Sequence, residues 1–282
     1  MLEIKKADGI GFCLGVRRAV DILERVAAER GRVETLGAVV HNQQVLRRLA
    51  GIGVKVVRDI ADIQGDIVVT SSHGVSPQVV EEIKSRNIEV VDTTCPFVKR
   101  AQIAARRLAE SGFYTIVYGD GDHPEVKGIL GWAGGRGMAT LDADEVIRSG
   151  NLPRRLGVLS QTTQIPACFA GFIGGLVASP AFKDTELRII DTICHDIRQR
   201  QAAALELARE SELVLVVGGH TSANSRHLVE LCSTLTETYL VETADEIKPS
   251  WLAGKRRISI TSGASTDEAT INEVIARLEK VP

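Results

Sequence analysis

An α/β fold made of three similar small units, each with a mainly parallel sheet, is predicted by two patterns in this 282-residue sequence. Short β-branched runs alternate with polar or glycine-containing loops and helical stretches, which is the signature of strand–helix alternation. Three segments that each start at a cysteine also repeat one another in spacing, and a repeat of that kind marks copies of a supersecondary unit.

Taken in chain order, the clearest β runs are Ile88 to Val91, Thr115 to Tyr118, Gly157 to Leu159, Leu187 to Ile190, Leu213 to Val217 and Ile258 to Thr261. They are nearly continuous in apolar character, which predicts strands covered on both faces. The repeated segments are Gly-Phe-Cys13-Leu-Gly-Val-Arg-Arg, Thr-Thr-Cys95-Pro-Phe-Val-Lys-Arg and Thr-Ile-Cys194-His-Asp-Ile-Arg-Gln. Each opens a helix at its cysteine. The third residue after the cysteine is apolar (Val16, Val98, Ile197) and the fourth is basic (Arg17, Lys99, Arg198). Apolar residues follow one face further on, at Leu23 and Val26, Ala105 and Leu108, and Ala204 and Leu207. Asp-Thr precedes two of the three cysteines, as Asp92-Thr93 and Asp191-Thr192.

A second polar loop follows each cysteine at a common offset of 28 residues, at His41, His123 and Ser222. A third closes each copy: Ser-Ser-His73-Gly-Val, Ser-Gln-Thr162-Thr and Ser-Gly-Ala-Ser265-Thr. The units predicted are therefore 1–94, 95–193 and 194–282. By the same symmetry the strands before Cys95 and Cys194 belong with the preceding copy, so residues 1–12 are expected to complete the third.

Composition narrows the function. With 34 basic and 36 acidic residues and a net charge of −2, no broad positive field exists for nucleic acid or an anionic membrane surface. The N-terminus lacks a signal-peptide core and no run of about 18 apolar residues is present, so the expected location is cytoplasmic. Five scattered cysteines, an odd number, argue against a disulfide framework and for thiols available to metal or chemistry.

Loops at the carboxyl ends of parallel strands are where open α/β sheets bind ligands. If the three copies face a common axis in a pseudo-threefold arrangement, three thiolates, three histidines and several hydroxyls converge there. A cysteine at a helix N-terminus is readily deprotonated and ligates metal. Three thiolates, from Cys13, Cys95 and Cys194, leave one corner of a four-iron, four-sulfur ([4Fe–4S]) cluster open, which favours an enzyme over an electron carrier. Zinc is the alternative, but no Cys-x-x-Cys spacing supports it. Cys168 and Cys232 stand outside the repeat and read as buried small hydrophobes. The remaining loops carry neutral donors suited to a phosphate: His41-Asn42, His73, His123, Ser222 with Asn224, and Ser265. The same residues are also common helix caps, and His220 and His227 are left at that reading. Glu125 is the one carboxylate in the histidine loops. It is either a proton donor or a capping acid in a first helical turn.

These motifs resemble the 4-hydroxy-3-methylbut-2-enyl diphosphate reductases of the non-mevalonate isoprenoid pathway. The matching stretches are Gly-Phe-Cys13-x-Gly-Val-x-Arg-Ala, Val-His41-Asn, Ser-His73-Gly-Val, Asp-x-Thr-Cys95-Pro, His123-Pro-Glu125-Val, Gln161-Thr162-Thr163, Ile-Cys194 with Arg200-Gln201, Ser222-x-Asn224-Ser225 and Gly-Ala-Ser265-Thr. The resemblance implies a three-lobed α/β fold around a [4Fe–4S] cluster held by Cys13, Cys95 and Cys194. It implies removal of the substrate hydroxyl as water by two electrons and two protons, giving isopentenyl and dimethylallyl diphosphate. It places His41, His73, His123, Ser222, Asn224 and Ser265 at the diphosphate, Thr162 with His123 near the reacting end, and Glu125 at proton delivery. Ferredoxin or flavodoxin is the implied electron donor, since no nucleotide-binding fingerprint is present. A histidine binding diphosphate in its protonated form is a further expectation.

The match has departures. Asp196-Ile197 stands where Ala-Thr is common, His220-Thr221 where lysine or asparagine is frequent, Ala223 where serine is frequent, and Asp267 where proline is usual. Ile197 aligns with Val16 and Val98 of the internal repeat, but Asp196 has no counterpart there. Two other functions use the same motifs: a related cluster enzyme acting as a non-reductive hydro-lyase, and a non-enzymatic iron–sulfur sensor.

Overall fold

The β-branched runs form twelve strands among the described residues of a computed structural model, which covers residues 2–150 and 152–280. The first stretch runs β1 (Glu3–Lys6), α1 (Leu14–Arg30), β2 (Val33–Leu36), α2 (Gln43–Gly51), β3 (Val54–Val57), β4 (Ile67–Thr70), α3 (Pro77–Ser85) and β5 (Glu89–Val91). The second runs α4 (Pro96–Glu110), β6 (Tyr114–Tyr118), α5 (Pro124–Trp132), β7 (Gly137–Thr140), α6 (Ala143–Arg148), β8 (Arg155–Ser160), α7 (Pro166–Ala178) and β9 (Glu186–Ile190). The third runs α8 (His195–Arg209), β10 (Leu213–Val217), α9 (Ala223–Ser233), β11 (Glu237–Val241), α10 (Pro249–Leu252), β12 (Arg257–Ser262) and α11 (Glu268–Glu279).

These strands make three four-stranded sheets, ordered β3-β2-β4-β5, β7-β6-β8-β9 and β11-β10-β12-β1. All their pairings are parallel. The order is the same three times over: in each sheet the strand opening the group lies between the second and third, and the fourth lies at the far edge. In the last sheet β1 takes the fourth position, with Ile4 opposite Ile258. The chain groups into two compact units. One spans Met1–Glu24, Val40–Gly53 and His195–Pro282 and carries the sheet with β1. The other spans Arg25–Val39 and Val54–Cys194 and carries the remaining two sheets.

Helices on both faces explain the continuous apolar runs. Along β10, Leu213, Leu215 and Val217 point into a core with Ile258, Ile260, Ile271, Val274 and Leu278. The alternate residues Val214 and Val216 pack with Ala204, Leu228 and Cys232 on the other face. The sheet of β6–β9 repeats the division: Val117 and Leu159 meet Ala101, Ala105 and Leu108 of α4, whereas Ile116 and Val158 meet Phe169, Phe172 and Leu176 of α7. Burying such side chains fully contributes about 1.5–3 kcal/mol each, which fixes every strand in register and aims all their carboxyl ends the same way within a sheet.

Candidate active site

Every candidate residue lies at the carboxyl end of a strand. The cysteines follow the fourth strand of a sheet: Cys95 follows β5, Cys194 follows β9 and Cys13 follows β1. Each stands immediately before or within one residue of a long helix (α4, α8 and α1) and is locked there by an equivalent main-chain bond. The amide of Cys95 donates to the Ser72 carbonyl (2.9 Å), that of Cys194 to Thr162 (2.9 Å) and that of Cys13 to Ala264 (3.0 Å). The three acceptors sit two residues past Thr70, Ser160 and Ser262, at the ends of β4, β8 and β12.

The Asp-Thr pairs now have a role. Asp92 accepts from the Thr94 amide and Asp191 from the Ile193 amide, while the Thr93 and Thr192 hydroxyls donate to the carbonyls of Thr70 and Ser160. In the third copy Gly11 takes the threonine position with φ +93°; its amide donates to the Ser262 hydroxyl (2.9 Å), as the Thr93 amide does to the Thr70 hydroxyl (3.3 Å), but it has no hydroxyl to donate back. A residue there with a Cβ is strained by that φ, which explains why the Asp-Thr signature is absent before Cys13.

The Cys13 sulfur accepts from the Val16 amide at 3.4 Å, in the manner of an N-cap. Burial pushes its pKa above the ordinary value; Asp196 adds to the rise, and the Val16 amide, Arg200 and the Gly15 amide oppose it. The cysteines outside the repeat differ. Cys232 is fully buried, and burial alone pushes its pKa to about 11, so it remains a thiol. Cys168, expected to be buried, is instead exposed on α7.

Glu125 lies in the first turn of α5 yet is only 2% exposed. Its Oε1 accepts from the Thr162 amide (2.6 Å) and its Oε2 from the Thr162 hydroxyl (2.9 Å). Burial raises its pKa to about 7 against the lowering effect of those two bonds. Of the two readings of Glu125, the capping one is taken by its neighbour: the Nδ1 of His123 accepts the Glu125 amide at 3.2 Å. Nδ1 being an acceptor, the neutral His123 ring carries its proton on Nε2. The rings of His73 and His123 stand edge to face, 5.2 Å apart and 88° between planes. His73 follows β4, its Nδ1 3.4 Å from the Ser71 hydroxyl. Beyond it Gly74 has φ +67° and leaves no room for a Cβ against Gln102 and Thr94, so the cysteine helix α4 sets the course of the His73 loop.

His41 precedes Asn42, which caps α2 by accepting the Val45 amide (3.1 Å). The loop after β10 passes directly over it, since a Cβ on Gly219 would strike the His41 carbonyl. Burial and the positive charge of Arg226 lower the His41 pKa. Both causes favour the neutral His41 ring in the unliganded chain. Ser222 caps α9 through the Ser225 amide (3.3 Å). Asn224 is only 4% exposed, and neither its Oδ1 nor its Nδ2 has a hydrogen-bond partner among the described residues. A buried amide with both groups unsatisfied by protein costs about 1–3 kcal/mol per group. Ser265 is buried on the loop after β12, next to Ala264.

The structure also accounts for four of the departures. Asp196 pairs with Arg200 one turn along α8 (Oδ2 to Nε, 2.7 Å). Asp267 caps α11 by accepting the Thr270 amide (2.9 Å). His220 pairs with Glu246 at 2.9 Å on the surface. Ile197 is buried, as its place in the repeat requires. Nothing in the structure explains Thr221 or Ala223. Sequence reasoning missed Arg226 as a charge acting on His41, and it missed Gln161. The Gln161 Oε1 accepts the Asp120 amide (3.2 Å), while its buried Nε2 has no partner among the described residues. Its place beside Thr162 was the available signal.

A sequence model of the LytB protein family matches residues 4–279. The chain belongs to the LytB family. A member from Dehalococcoides mccartyi (strain 195), named 4-hydroxy-3-methylbut-2-enyl diphosphate reductase, is 60% identical over 277 residues, 98% of either chain. A member of the same name from Geobacter sulfurreducens is 41% identical over 280 residues, 99% of this chain and 98% of that one. Among solved LytB-type structures, the E-1-hydroxy-2-methyl-but-2-enyl-4-diphosphate reductase of Plasmodium falciparum superposes with a TM-score of 0.92 at 26% identity, covering 100% of this chain and 89% of that chain. A second, titled (E)-4-hydroxy-3-methyl-but-2-enyl diphosphate reductase, the terminal enzyme of the non-mevalonate pathway, gives 0.71 at 33% identity, covering 99% of this chain and 100% of that chain. The α/β class with three parallel sheets, expected from the repeat, is thus the fold of this LytB chain. Among its described residues no helix is long and apolar enough to cross a membrane.

Proposed function

We propose that this LytB chain is a 4-hydroxy-3-methylbut-2-enyl diphosphate reductase, with Cys13, Cys95 and Cys194 each giving one thiolate to a [4Fe–4S] cluster. The residues suit that group. Three cysteines occupy one repeated position, each at a helix N-terminus and each with its amide bonded to the carbonyl of an equivalent loop. Helix ends of this kind offset the negative charge of bound thiolates. When bound, such a cluster supplies electrons through an iron that lacks a protein thiolate.

The observation that carries the reading is Thr162. Its carbonyl takes the Cys194 amide, and its own amide and hydroxyl hold the carboxyl of Glu125. One residue therefore links a cluster-binding cysteine to a buried acid with a pKa of about 7. Removing an allylic hydroxyl requires one proton for the departing oxygen and one for the carbon fragment, together with two electrons. Glu125 is a suitable store for the first. The Thr162 amide cannot reverse its bond to Oε1, so the acidic proton sits on Oε2. The Thr162 hydroxyl then accepts from it and is free to donate toward the substrate hydroxyl. His123 presents a neutral Nε2–H. The amide of Asn224, with Ser222, Ser265, His41 and His73, provides neutral donors for the diphosphate, and Arg226 supplies charge. A cytoplasmic ferredoxin or flavodoxin is the proposed reductant.

The test is anaerobic reconstitution followed by iron and sulfide analysis and turnover of the allylic diphosphate with a chemical reductant. Four irons per chain and consumption of two electrons per product are expected of the reductase. Turnover without electron consumption would leave a hydro-lyase, and iron binding without turnover would leave a sensor.

A further inference from the structure

Arg200 is 6% exposed on α8. Nε reaches Asp196 Oδ2 at 2.7 Å, while Nη1 is buried with no hydrogen-bond partner among the described residues. A buried guanidinium keeps its charge and needs a counter-charge. Asp196 is that counter-charge, placed one helical turn earlier with a side chain 36% exposed. Asp196 also stands in the first turn of α8, two residues after Cys194, where a carboxylate cancels part of the positive end of the helix dipole.

We infer that Asp196 is a positioning residue for the redox centre. By neutralising Arg200 and the α8 N-terminus beside Cys194, it lowers the reduction potential of the cluster that Cys194 helps to hold. The inference rests on the cluster reading above. Adding an electron to an anionic centre is made easier by a nearby positive charge and harder by a negative one. In a partly buried setting such charges are screened less than at the surface. With Asp196 present the pair is close to neutral; without its charge, a buried guanidinium and an uncompensated helix end both favour the reduced state. A merely structural role for the pair, an i,i+4 contact worth about 0.3–0.5 kcal/mol, does not move a potential.

The experiment is a redox titration followed by electron paramagnetic resonance on the anaerobically reconstituted full chain, comparing wild type with Asp196→Asn and Asp196→Ala. Asparagine keeps an acceptor for Arg200 Nε, and alanine tests whether the result depends on that bond. Iron and sulfide content is measured first. Both variants are expected to retain wild-type iron and to show a midpoint potential shifted upward. Equal or lower potentials at normal iron content overturn the inference and leave the cluster reading intact. Loss of iron in both variants overturns it too, because Asp196 then supports assembly of the site. A wild-type chain that retains no iron overturns the cluster reading itself and this inference with it.

Discussion

Both oxygens of the Glu125 carboxyl group are engaged by one residue, Thr162, through its amide at 2.6 Å and its hydroxyl at 2.9 Å. A carboxyl so placed keeps its shape if it becomes an amide. In Glu125→Gln the carbonyl oxygen still accepts the Thr162 amide, and the new NH₂ donates to the Thr162 hydroxyl, but no proton can be released. Iron content and diphosphate affinity are expected to stay within about twofold of wild type. Turnover is expected to fall by about 10²- to 10⁴-fold, the usual contribution of a positioned acid. Loss of the cluster, or near-normal turnover under excess reductant, would make Glu125 a structural residue.

The same carboxyl makes stability depend on pH. Its pKa is raised in the folded chain from the ordinary 4.5 to about 7, so the folded state binds this proton more tightly than the unfolded state. The associated stability is complete below about pH 4.5 and is lost as pH rises through about 7. The loss approaches about 3 kcal/mol on the alkaline side. Denaturant unfolding of the cluster-free chain at pH 6 and pH 9 should therefore show wild type losing more stability than Glu125→Gln over that interval. Parallel losses in the two proteins would place the proton on another group.

Serine at Cys13, Cys95 or Cys194 is expected to lower iron content after reconstitution, whereas serine at Cys168 or Cys232 is not. Cys232 packs at zero exposure against the Ala204 helix face and is held as a thiol, and Cys168 lies on the outer face of α7. Cys232→Ser is instead expected to cost about 1–3 kcal/mol, for a hydroxyl placed in an apolar core. Iron content that is normal in all five variants would remove the thiolate assignment altogether.

What the sequence revealed of this molecule, and what it hid, divides along the range of the interactions. The strand at Leu213 to Val217 was legible because both its faces are buried and every residue must be apolar. The equivalence of Cys13, Cys95 and Cys194 was legible because a helix N-terminus and its apolar stripe have a fixed period. The bond from Thr162 to Glu125 spans 37 residues and leaves no local pattern, so Thr162 could be assigned only by resemblance. Asp196 looked like a stray negative charge, because its partner Arg200 becomes visible as a partner only when α8 places the two side chains on one face. The Nε2 proton of His123 depends on a cap bond from Glu125, and the lowered pKa of His41 on burial and Arg226, none of which a motif records.

Asn224 gives the last prediction. Its side chain is buried, and neither polar group has a partner among the described residues. Binding a diphosphate oxygen would satisfy the amide donor, and losing the amide would remove that gain without removing any bond from the unliganded chain. Asn224→Ala trades two unsatisfied groups for a small void, so its unfolding free energy is expected to lie within about 1 kcal/mol of wild type, or above it. Its KM for the allylic diphosphate is expected to rise by about tenfold or more, the equivalent of one lost hydrogen bond to a charged group. Thermal unfolding of the unliganded chain and steady-state kinetics of the reconstituted enzyme check the two halves separately. A variant that is strongly destabilised, or one that binds substrate as wild type does, would show that Asn224 serves the fold of the α9 N-terminus and not the diphosphate.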